Sequence, residues 1–283
     1  MTVSGMAASV GSRTAVVAKY VSLVVASAVT LLPLAVAFTT SFKTERESAN
    51  GGPLDLPHNW LNFHNFQVAF SQGHMLLAFA NTAFILLFSI TGTVIIGSMT
   101  AYAIDRFRFR FRRVVIGAFL VAALVPGVTT QVATFQIIDY FGLFNTRWAP
   151  IALYMGTDII SIIIFVQFIR GIPISLDEAA RIDGASTFRI YRTVIFPLLK
   201  PAIATVIIVK GVAVYNDFYV PFLYMPSRDL GVISTSLFQF KGPYGAHWEV
   251  ICAGAVLAII PTLAVFLFLQ RFVYNGFTMG STK

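Results

Sequence analysis

Six long apolar segments constrain the fold of this sequence more than any other feature. An α-helix needs about 20 apolar residues to cross the hydrocarbon core of a bilayer, and each segment reaches that length. Lipid cannot satisfy free backbone N–H and C=O groups, whereas a helix satisfies its own. The sequence therefore predicts an all-α integral membrane protein with six transmembrane helices. The predicted spans lie at about residues 15–38, 77–104, 113–137, 148–169, 201–225 and 250–271.

The composition excludes a soluble domain. Hydrophobic residues make up 57% of the chain and charged residues 11%, whereas soluble domains carry about 25% charged residues. The net charge of +8 would suit nucleic acid only if the basic residues clustered on a soluble face. They lie instead between apolar segments, so we expect membrane lipid as a partner and no nucleic acid. The single cysteine, Cys252, excludes a disulfide within the chain.

The distribution of lysine and arginine predicts the orientation in the membrane. Fourteen of these residues lie at the termini and in the second and fourth connections between spans, and five lie in the other connections. The positive-inside rule therefore places both termini in the cytoplasm. The basic stretch RFRFRFRR (106–113) is predicted to form a tight cytoplasmic hairpin, with binding of anionic lipid or nucleic acid as the alternative. The predicted regions are a cytoplasmic N-terminus (1–14), a six-span domain (15–271) and a cytoplasmic C-terminal tail (272–283).

A charged insert at residues 170–200, between the fourth and fifth predicted spans, is predicted to form a helix-turn-helix. Ser175 and Glu178 have the spacing of a capping box for its first helix. Gly184 suits the turn that follows. An ordinary amphipathic loop with its charges in water is the alternative. The second helix has two candidate N-cap residues, Ser186 and Thr187.

Glu178–Ala180 are followed after three residues by Gly184, and Pro197 ends the insert. This pattern resembles the EAA loop of ABC importer permeases, which reads Glu-Ala-Ala, three residues, Gly, nine residues and Ile-x-Leu-Pro. Val194 and Phe196 stand where that family usually has Ile and Leu, and both remain apolar. The position of the insert between the fourth and fifth of six spans strengthens the resemblance.

Three other stretches resemble the carbohydrate-uptake branch of that family. LPHNWLNFHNFQVAF (56–70) is similar to a segment of the first outer loop. YNDFYVPFLYM (215–225) is similar to a segment of the fifth span, with Tyr215 where the family commonly has Trp. QRFVYNGFTMGSTK (270–283) is similar to the C-terminal tail, in which Met279 and Gly280 are candidates for reaching a partner.

The resemblance implies a mechanism that needs several chains in a bacterial cytoplasmic membrane. The expected partners are a second permease subunit forming a heterodimer, two cytoplasmic ATPase subunits and an extracytoplasmic sugar-binding protein. ATP and Mg²⁺ belong to the ATPase, because this chain has no GxxxxGK loop followed by Ser or Thr and is expected to bind no cofactor. The loop would dock on the ATPase and move as a lever. The residues implied in this coupling are Glu178, Ala179, Ala180, Asp183, Gly184, Ala185 and Pro197.

Polar residues within the spans are candidates for the substrate path, because ionisable groups in a bilayer are costly. Asp217 is the clearest, and Lys210 lies seven residues earlier on roughly the same helix face. Such groups can equally bond another span or fix a helix break near Pro221, and the polar groups of the third span can serve helix packing. Hydrogen-bonding and aromatic groups suited to a sugar are Tyr215, Asn216, Asp217, Phe218, Tyr219 and Tyr224, with Gln131 and Thr134 in the third span.

The sequence favours a transport subunit over an enzyme. It shows no nucleophile with a base, no paired carboxylates suited to hydrolysis and no spacing of metal ligands. We predict the permease subunit of an ATP-driven, binding-protein-dependent importer of sugars, with a di- or oligosaccharide as substrate. The alternatives are an ABC permease for glycerol phosphate or a polyol, and a secondary transporter driven by ions.

Overall fold

The protein is mostly helical in its computed structural model, which describes residues 4–127, 129–156, 158–242 and 245–279. Residues 1–3 of the predicted N-terminal region and residues 280–283 of the predicted tail, which include the candidate Gly280, lie outside the described residues. The chain forms two compact units, Met1–Gly73 with Leu237–Ile260 and His74–Ser236 with Pro261–Lys283. The second unit contains the charged insert and the predicted substrate path.

Long helices alternate with short ones along the chain. A π-helical turn, Tyr191–Ile195, lies between the short helices Thr187–Ile190 and Phe196–Leu198. Turns of 3₁₀ helix lie at Arg228–Leu230 and Leu237–Phe240. A short antiparallel hairpin pairs β1 (Lys241–Gly242) with β2 (Gly245–Ala246). In order, the helices are α1 (Ser4–Thr40), α2 (Glu45–Asn50), α3 (His64–Gln72), α4 (Met75–Arg106), α5 (Arg112–Leu124), α6 (Gln131–Tyr140), α7 (Trp148–Met155), α8 (Ile159–Arg170), α9 (Ser175–Ile182), α10 (Thr187–Ile190), α11 (Phe196–Leu198), α12 (Lys200–Asn216), α13 (Tyr219–Tyr224), α14 (Ile233–Ser236) and α15 (Trp248–Met279).

The prediction of membrane-spanning helices is confirmed, but their number is not. In the described part of the chain, Ala15–Thr40, Met75–Arg106 and Trp248–Val265 are long and apolar enough to span a bilayer alone. Two bent helix pairs raise the number to five if each pair is one span. They are α7 with α8, and Thr187–Leu198 with α12, which meet at 73°.

The predicted third, fourth and fifth spans are each interrupted, so none of them is one continuous helix, and the fourth, 148–169, consists of α7 and α8. The third prediction, 113–137, covers α5 and α6, which are separated by a stretch containing Pro126. Proline lacks a backbone N–H, so one hydrogen bond of the helix ladder is lost there and the helix is weakened. The fifth prediction, 201–225, is broken between α12 and α13 at Asp217.

Helix α4 forms the centre of the second unit, where it packs against α7, α8 and α12. A Cβ at Gly97 would lie 3.3 Å from the ring of Phe165, which is fully buried. Small residues at such positions let membrane helices approach closely. The core around this contact consists of Val94, Ala101, Tyr102, Phe165, Ile169, Ile190, Tyr191, Ile195, Leu199, Ala202 and Val206.

The connection between α1 and α4 in the first unit is ordered by polar contacts. Glu47 and Thr44 form a capping box at the start of α2, and the Glu47 carboxylate also contacts the His58 ring. Asn65 donates to the carbonyl oxygens of Ser41 at 2.9 Å and Lys43 at 2.7 Å. The backbone N–H of Thr44, followed by His58, lowers the pKa of Glu47 from 4.5 to about 2.

Glu47→Gln should loosen this connection in a manner that depends on pH. The lowered pKa means that the ionised carboxylate stabilises the folded connection above its unfolded pKa of 4.5, and that the contribution is lost as pH falls towards about 2. Hydrogen exchange of a peptide containing Thr44 should therefore be faster in the variant at pH 7, and the difference should shrink between pH 4.5 and 2. A difference that stays constant over that range would contradict the assignment.

Candidate functional site

The charged insert folds as two helices joined by a tight turn, as the sequence predicts. Helix α9 ends in a glycine turn, where Gly184 has a φ of +77° and the N–H of Ala185 donates to the Ala180 carbonyl oxygen at 2.9 Å. A positive φ favours glycine because a side chain would be strained there. Ser186 then caps α10 by accepting from the N–H of Arg189 at 3.4 Å. Both the turn and this cap are confirmed.

The predicted capping box at the start of α9 is wrong. The helix begins at Ser175 itself, and the N-cap residue is Ile174, which makes no side-chain cap bond. The acidic side chains of the first turn, Asp177 and Glu178, favour the start of the helix through its dipole instead.

The residues implied in coupling divide into an exposed set and a packed set. Glu178, Ala179, Asp183 and Gly184 are exposed, as is Pro197. Ala180 and Ala185 are half-buried and pack against the core under the loop. Large apolar side chains are also exposed beside the first set, since Ile182 is 86% exposed and Phe188 is 61% exposed. The loop therefore presents an apolar and acidic surface above a fixed apolar base.

Three polar contacts hold the loop to α4, and sequence reasoning missed all of them. Tyr102 donates its hydroxyl to Asp177 at 2.8 Å, and the Arg106 guanidinium lies 3.2 Å from the same carboxylate. The hydroxyls of Ser98 and Tyr191 lie 2.8 Å apart. In the sequence, Arg106 is one of several arginines that indicate the orientation in the membrane, and nothing in the spacing connects it to Asp177.

A second polar cluster lies among the helices of the same unit. Lys210 on α12 lies 3.4 Å from the carboxylate of Asp158, and both side chains are largely buried. The Lys210 ammonium also lies 5.8 Å from the ring centre of Tyr154, within the range of a cation–π contact. Tyr154 donates its hydroxyl to Asp217 at 2.8 Å. The predicted pair on one helix face, Lys210 and Asp217, is thus joined through Tyr154 of α7.

Asp217 itself breaks the helix. One of its carboxylate oxygens accepts from the N–H of Tyr219 at 2.8 Å and of Val220 at 3.2 Å, at the start of α13. Its backbone carbonyl accepts from the Ser234 hydroxyl at 2.6 Å. Asp217 therefore both fixes a helix break and bonds another segment, the two structural roles that its position suggested.

The other residues of the predicted substrate path lie at several depths. Tyr224 is buried and its ring lies 6.3 Å from that of Phe135 on α6, next to Thr134. Tyr219 is exposed, and the ring of Phe218 stacks on Phe222 at 5.0 Å. A small cleft lies beside the Tyr154–Asp217 bond. Its lining residues are Thr82, Ile85, Tyr154, Val214, Tyr215, Pro221, Val232 and Ser234.

The remaining path residues bond locally. Asn216 donates to the Val212 carbonyl oxygen at 2.9 Å, and Thr134 donates to that of Thr130 at 2.9 Å. Gln131 is partly exposed at the start of α6. Within the described residues, no group of three or more His, Cys, Asp or Glu side chains is placed to hold a metal ion.

The family described as binding-protein-dependent transport system inner membrane component matches residues 20–278. The chain belongs to this family, and it is a transport component rather than an enzyme.

Curated relatives match over nearly the whole chain. The melibiose/raffinose/stachyose import permease protein MelC of Bacillus subtilis is 29% identical over 89% of this chain and 91% of its own length. The probable starch degradation products transport system permease protein AmyC of Thermoanaerobacterium thermosulfurigenes is 31% identical over 92% of this chain and 94% of its own length.

A solved structure shares the fold. It is the crystal structure of a bacterial ABC transporter involved in the import of the acidic polysaccharide alginate. One of its chains superposes with a TM-score of 0.80 at 21% identity, covering 92% of this chain and 97% of that chain. At this identity the likeness is one of fold, and it extends over both long and interrupted helices.

Proposed function

We propose that this chain is one of the two permease subunits of an ATP-driven importer of di- or oligosaccharides. Membership of the binding-protein-dependent family supports the transport role. The names of two relatives, which refer to melibiose, raffinose and stachyose and to starch degradation products, support the substrate class. The observation that carries the proposal is the exposed, structurally anchored α9–α10 loop within a permease fold.

The proposed topology has six spans and cytoplasmic termini. Three single helices, the bent pair of α7 with α8, and α12 of the second bent pair provide five spans, and α5 with α6 provides the interrupted third. The excess of lysine and arginine at the termini and around α9 favours this orientation. The coupling loop then faces the cytoplasm, where an ATPase can reach it.

The proposed coupling surface is formed by the exposed acidic and apolar residues of the loop. Ile182 and Phe188 expose apolar area that a protein partner would bury, and exposed apolar patches commonly mark such interfaces. Glu178 and Asp183 supply hydrogen-bond acceptors beside them. Ala179 and Gly184 leave room for close approach, while Ala180, Ala185 and Pro197 shape the base of the loop.

The proposed substrate path runs beside α12 and α13. The cleft next to Tyr154 and Tyr215 offers aromatic faces and hydroxyl groups, the two chemistries that a sugar requires. Asn216, Asp217, Phe218, Tyr219 and Tyr224 extend this surface along the chain, and Gln131 and Thr134 lie on α6, which contacts Tyr224 through Phe135. A second permease subunit completes the path.

The proposed assembly contains that second permease, two cytoplasmic ATPase subunits that bind ATP and Mg²⁺, and an extracytoplasmic sugar-binding protein. Cysteine crosslinking tests it. Glu178→Cys, in a chain whose native Cys252 is replaced by Ala, should form a disulfide with a cysteine placed on the ATPase surface. Leu54→Cys, which is also exposed but lies in the predicted outer connection, should form none. A chain that gives no crosslink at Glu178 and purifies without any ATPase would sink the proposal.

A further inference from the structure

Arg106 connects three helices at the base of the coupling loop. It is the last residue of α4, and its side chain is 6% exposed. One terminal nitrogen, Nη2, donates to the carbonyl oxygens of Ile169 at 3.3 Å and Ile172 at 2.7 Å, at the end of α8. Carbonyls at a helix C-terminus lack partners within the helix, and a cationic side chain there is favourable. Arg106 therefore fixes the end of α8 to the end of α4.

The same guanidinium holds the start of α9. Its Nε lies 3.2 Å from Oδ2 of Asp177, whose side chain is 4% exposed. Tyr102, one turn earlier on α4, donates to the other oxygen, Oδ1, at 2.8 Å. Because residues four apart share a helix face, Asp177 is held by two side chains from one face of α4. Each oxygen of the Asp177 carboxylate therefore has a partner on α4.

The charges around this contact balance. Nη1 of Arg106 lies 3.1 Å from Asp105, and the same Asp105 lies 3.5 Å from Arg170, which is 63% exposed. Two arginines and two aspartates therefore form one network. A buried ion pair adds little net stability compared with apolar residues of the same shape, because desolvation offsets the attraction. What the network provides is orientation.

Asp177 precedes Glu178, the exposed residue of the proposed ATPase contact. Consecutive residues of an α-helix differ in direction by about 100°, so fixing the inward direction of Asp177 fixes the outward direction of Glu178. Further along α4, Thr93 in the middle of the helix donates to the Tyr154 carbonyl oxygen at 3.3 Å. A displacement of α9 is thereby passed to the helix that contacts the proposed path.

We propose that Arg106 and Asp177 form the positioning joint that transmits movement of the coupling loop to α4 and α8. The inference rests on the proposed function, because it assigns to this joint the conversion of ATPase movement into opening of the path. Arg106 and Asp177 are positioning residues, and they touch neither nucleotide nor sugar. Weakening the joint should therefore uncouple hydrolysis from transport rather than abolish either one.

The test uses the complete transporter in proteoliposomes and measures ATP hydrolysed per sugar imported. Asp177→Asn keeps the size of the side chain and an acceptor for Tyr102, but removes the charge that faces Arg106. We expect the ratio to rise by at least about fivefold, the lower end of coupling between two sites. A variant that only folds poorly lowers both rates equally and leaves the ratio unchanged. The matched control is Lys200→Gln, which removes a charge at an exposed position outside this network and should leave the ratio unchanged.

Two further variants keep the test decisive if Asp177→Asn fails to assemble. Arg106→Lys keeps the charge but cannot reach three partners with one ammonium, and Tyr102→Phe removes one bond while keeping the ion pair. Both should raise the ratio with normal amounts of bound ATPase. If every assembled variant hydrolyses as much ATP per sugar imported as the wild type, the proposed role of the joint is wrong. Failure of the wild-type assembly to import sugar with ATP is a different result, and it would overturn the proposed function itself.

Discussion

Lys210→Met should destabilise the protein by about 3–5 kcal/mol, the usual cost of removing one partner from a buried ion pair. Lys210 lies 3.4 Å from Asp158, and the two side chains are 15% and 14% exposed. Without Lys210, Asp158 keeps only the hydroxyl of Ser161 as a side-chain partner among the contacts described here. A carboxylate in an apolar interior cannot be solvated by the side chains around it.

The double variant Lys210→Met with Asp158→Leu provides the control for this prediction. Removing both charges eliminates the unpaired group, so the double variant should be more stable than Lys210→Met alone. Unfolding by denaturant in detergent gives the four free energies of the wild type, Lys210→Met, Asp158→Leu and the double variant, and residues in contact should give a strongly non-additive cycle. Additive costs would show that the two charges do not interact.

Asp217→Ala should be the second large effect, with a loss of about 2–4 kcal/mol. Loss of a side-chain cap costs about 0.5–2 kcal/mol. In Asp217→Ala, the N–H groups of Tyr219 and Val220 would lose the carboxylate oxygen that accepts from them. The Tyr154 hydroxyl would also lose its acceptor, and an unsatisfied buried group costs about 1–3 kcal/mol. Thermal unfolding in detergent, compared with the wild type, gives the loss.

Asp217→Asn separates this structural role from a role in substrate binding. Asparagine retains an acceptor for the N–H groups and can still bond the Tyr154 hydroxyl, so its stability should stay within about 1 kcal/mol of the wild type. If Asp217 also contacts sugar, the KM for uptake should change in Asp217→Asn despite this stability. If Asp217→Ala is as stable as the wild type, the capping role is wrong.

Much of the fold can be predicted from the sequence because a helix that crosses the bilayer must contain a long run of apolar residues. The predicted span 77–104 lies within α4, and the predicted two-helix insert with its Gly184 turn agrees with α9 and α10. The interruptions were harder to predict. Asp217 ends a helix through bonds that its own side chain makes, and hydropathy averaged over a window does not register them.

The joint at Arg106 could not be predicted because its geometry depends on tertiary structure. Arg106 and Asp177 are far apart in the sequence, and each has a simpler local explanation. Arg106 fits the positive-inside rule, and Asp177 fits the preference for acidic residues in the first turn of a helix. The sequence pairs Lys210 with Asp217 on one helix face, whereas its ion-pair partner in the structure is Asp158. Only the packing of α12 against α8 brings Lys210 to Asp158.

The most direct test of the account is sugar uptake by proteoliposomes that contain this chain, its second permease and the ATPase, with the sugar-binding protein outside. The account predicts uptake of a di- or oligosaccharide that requires ATP at the ATPase side and the binding protein at the other, and that persists when proton and sodium gradients are dissipated. Uptake that needs an ion gradient and continues without the ATPase would contradict it.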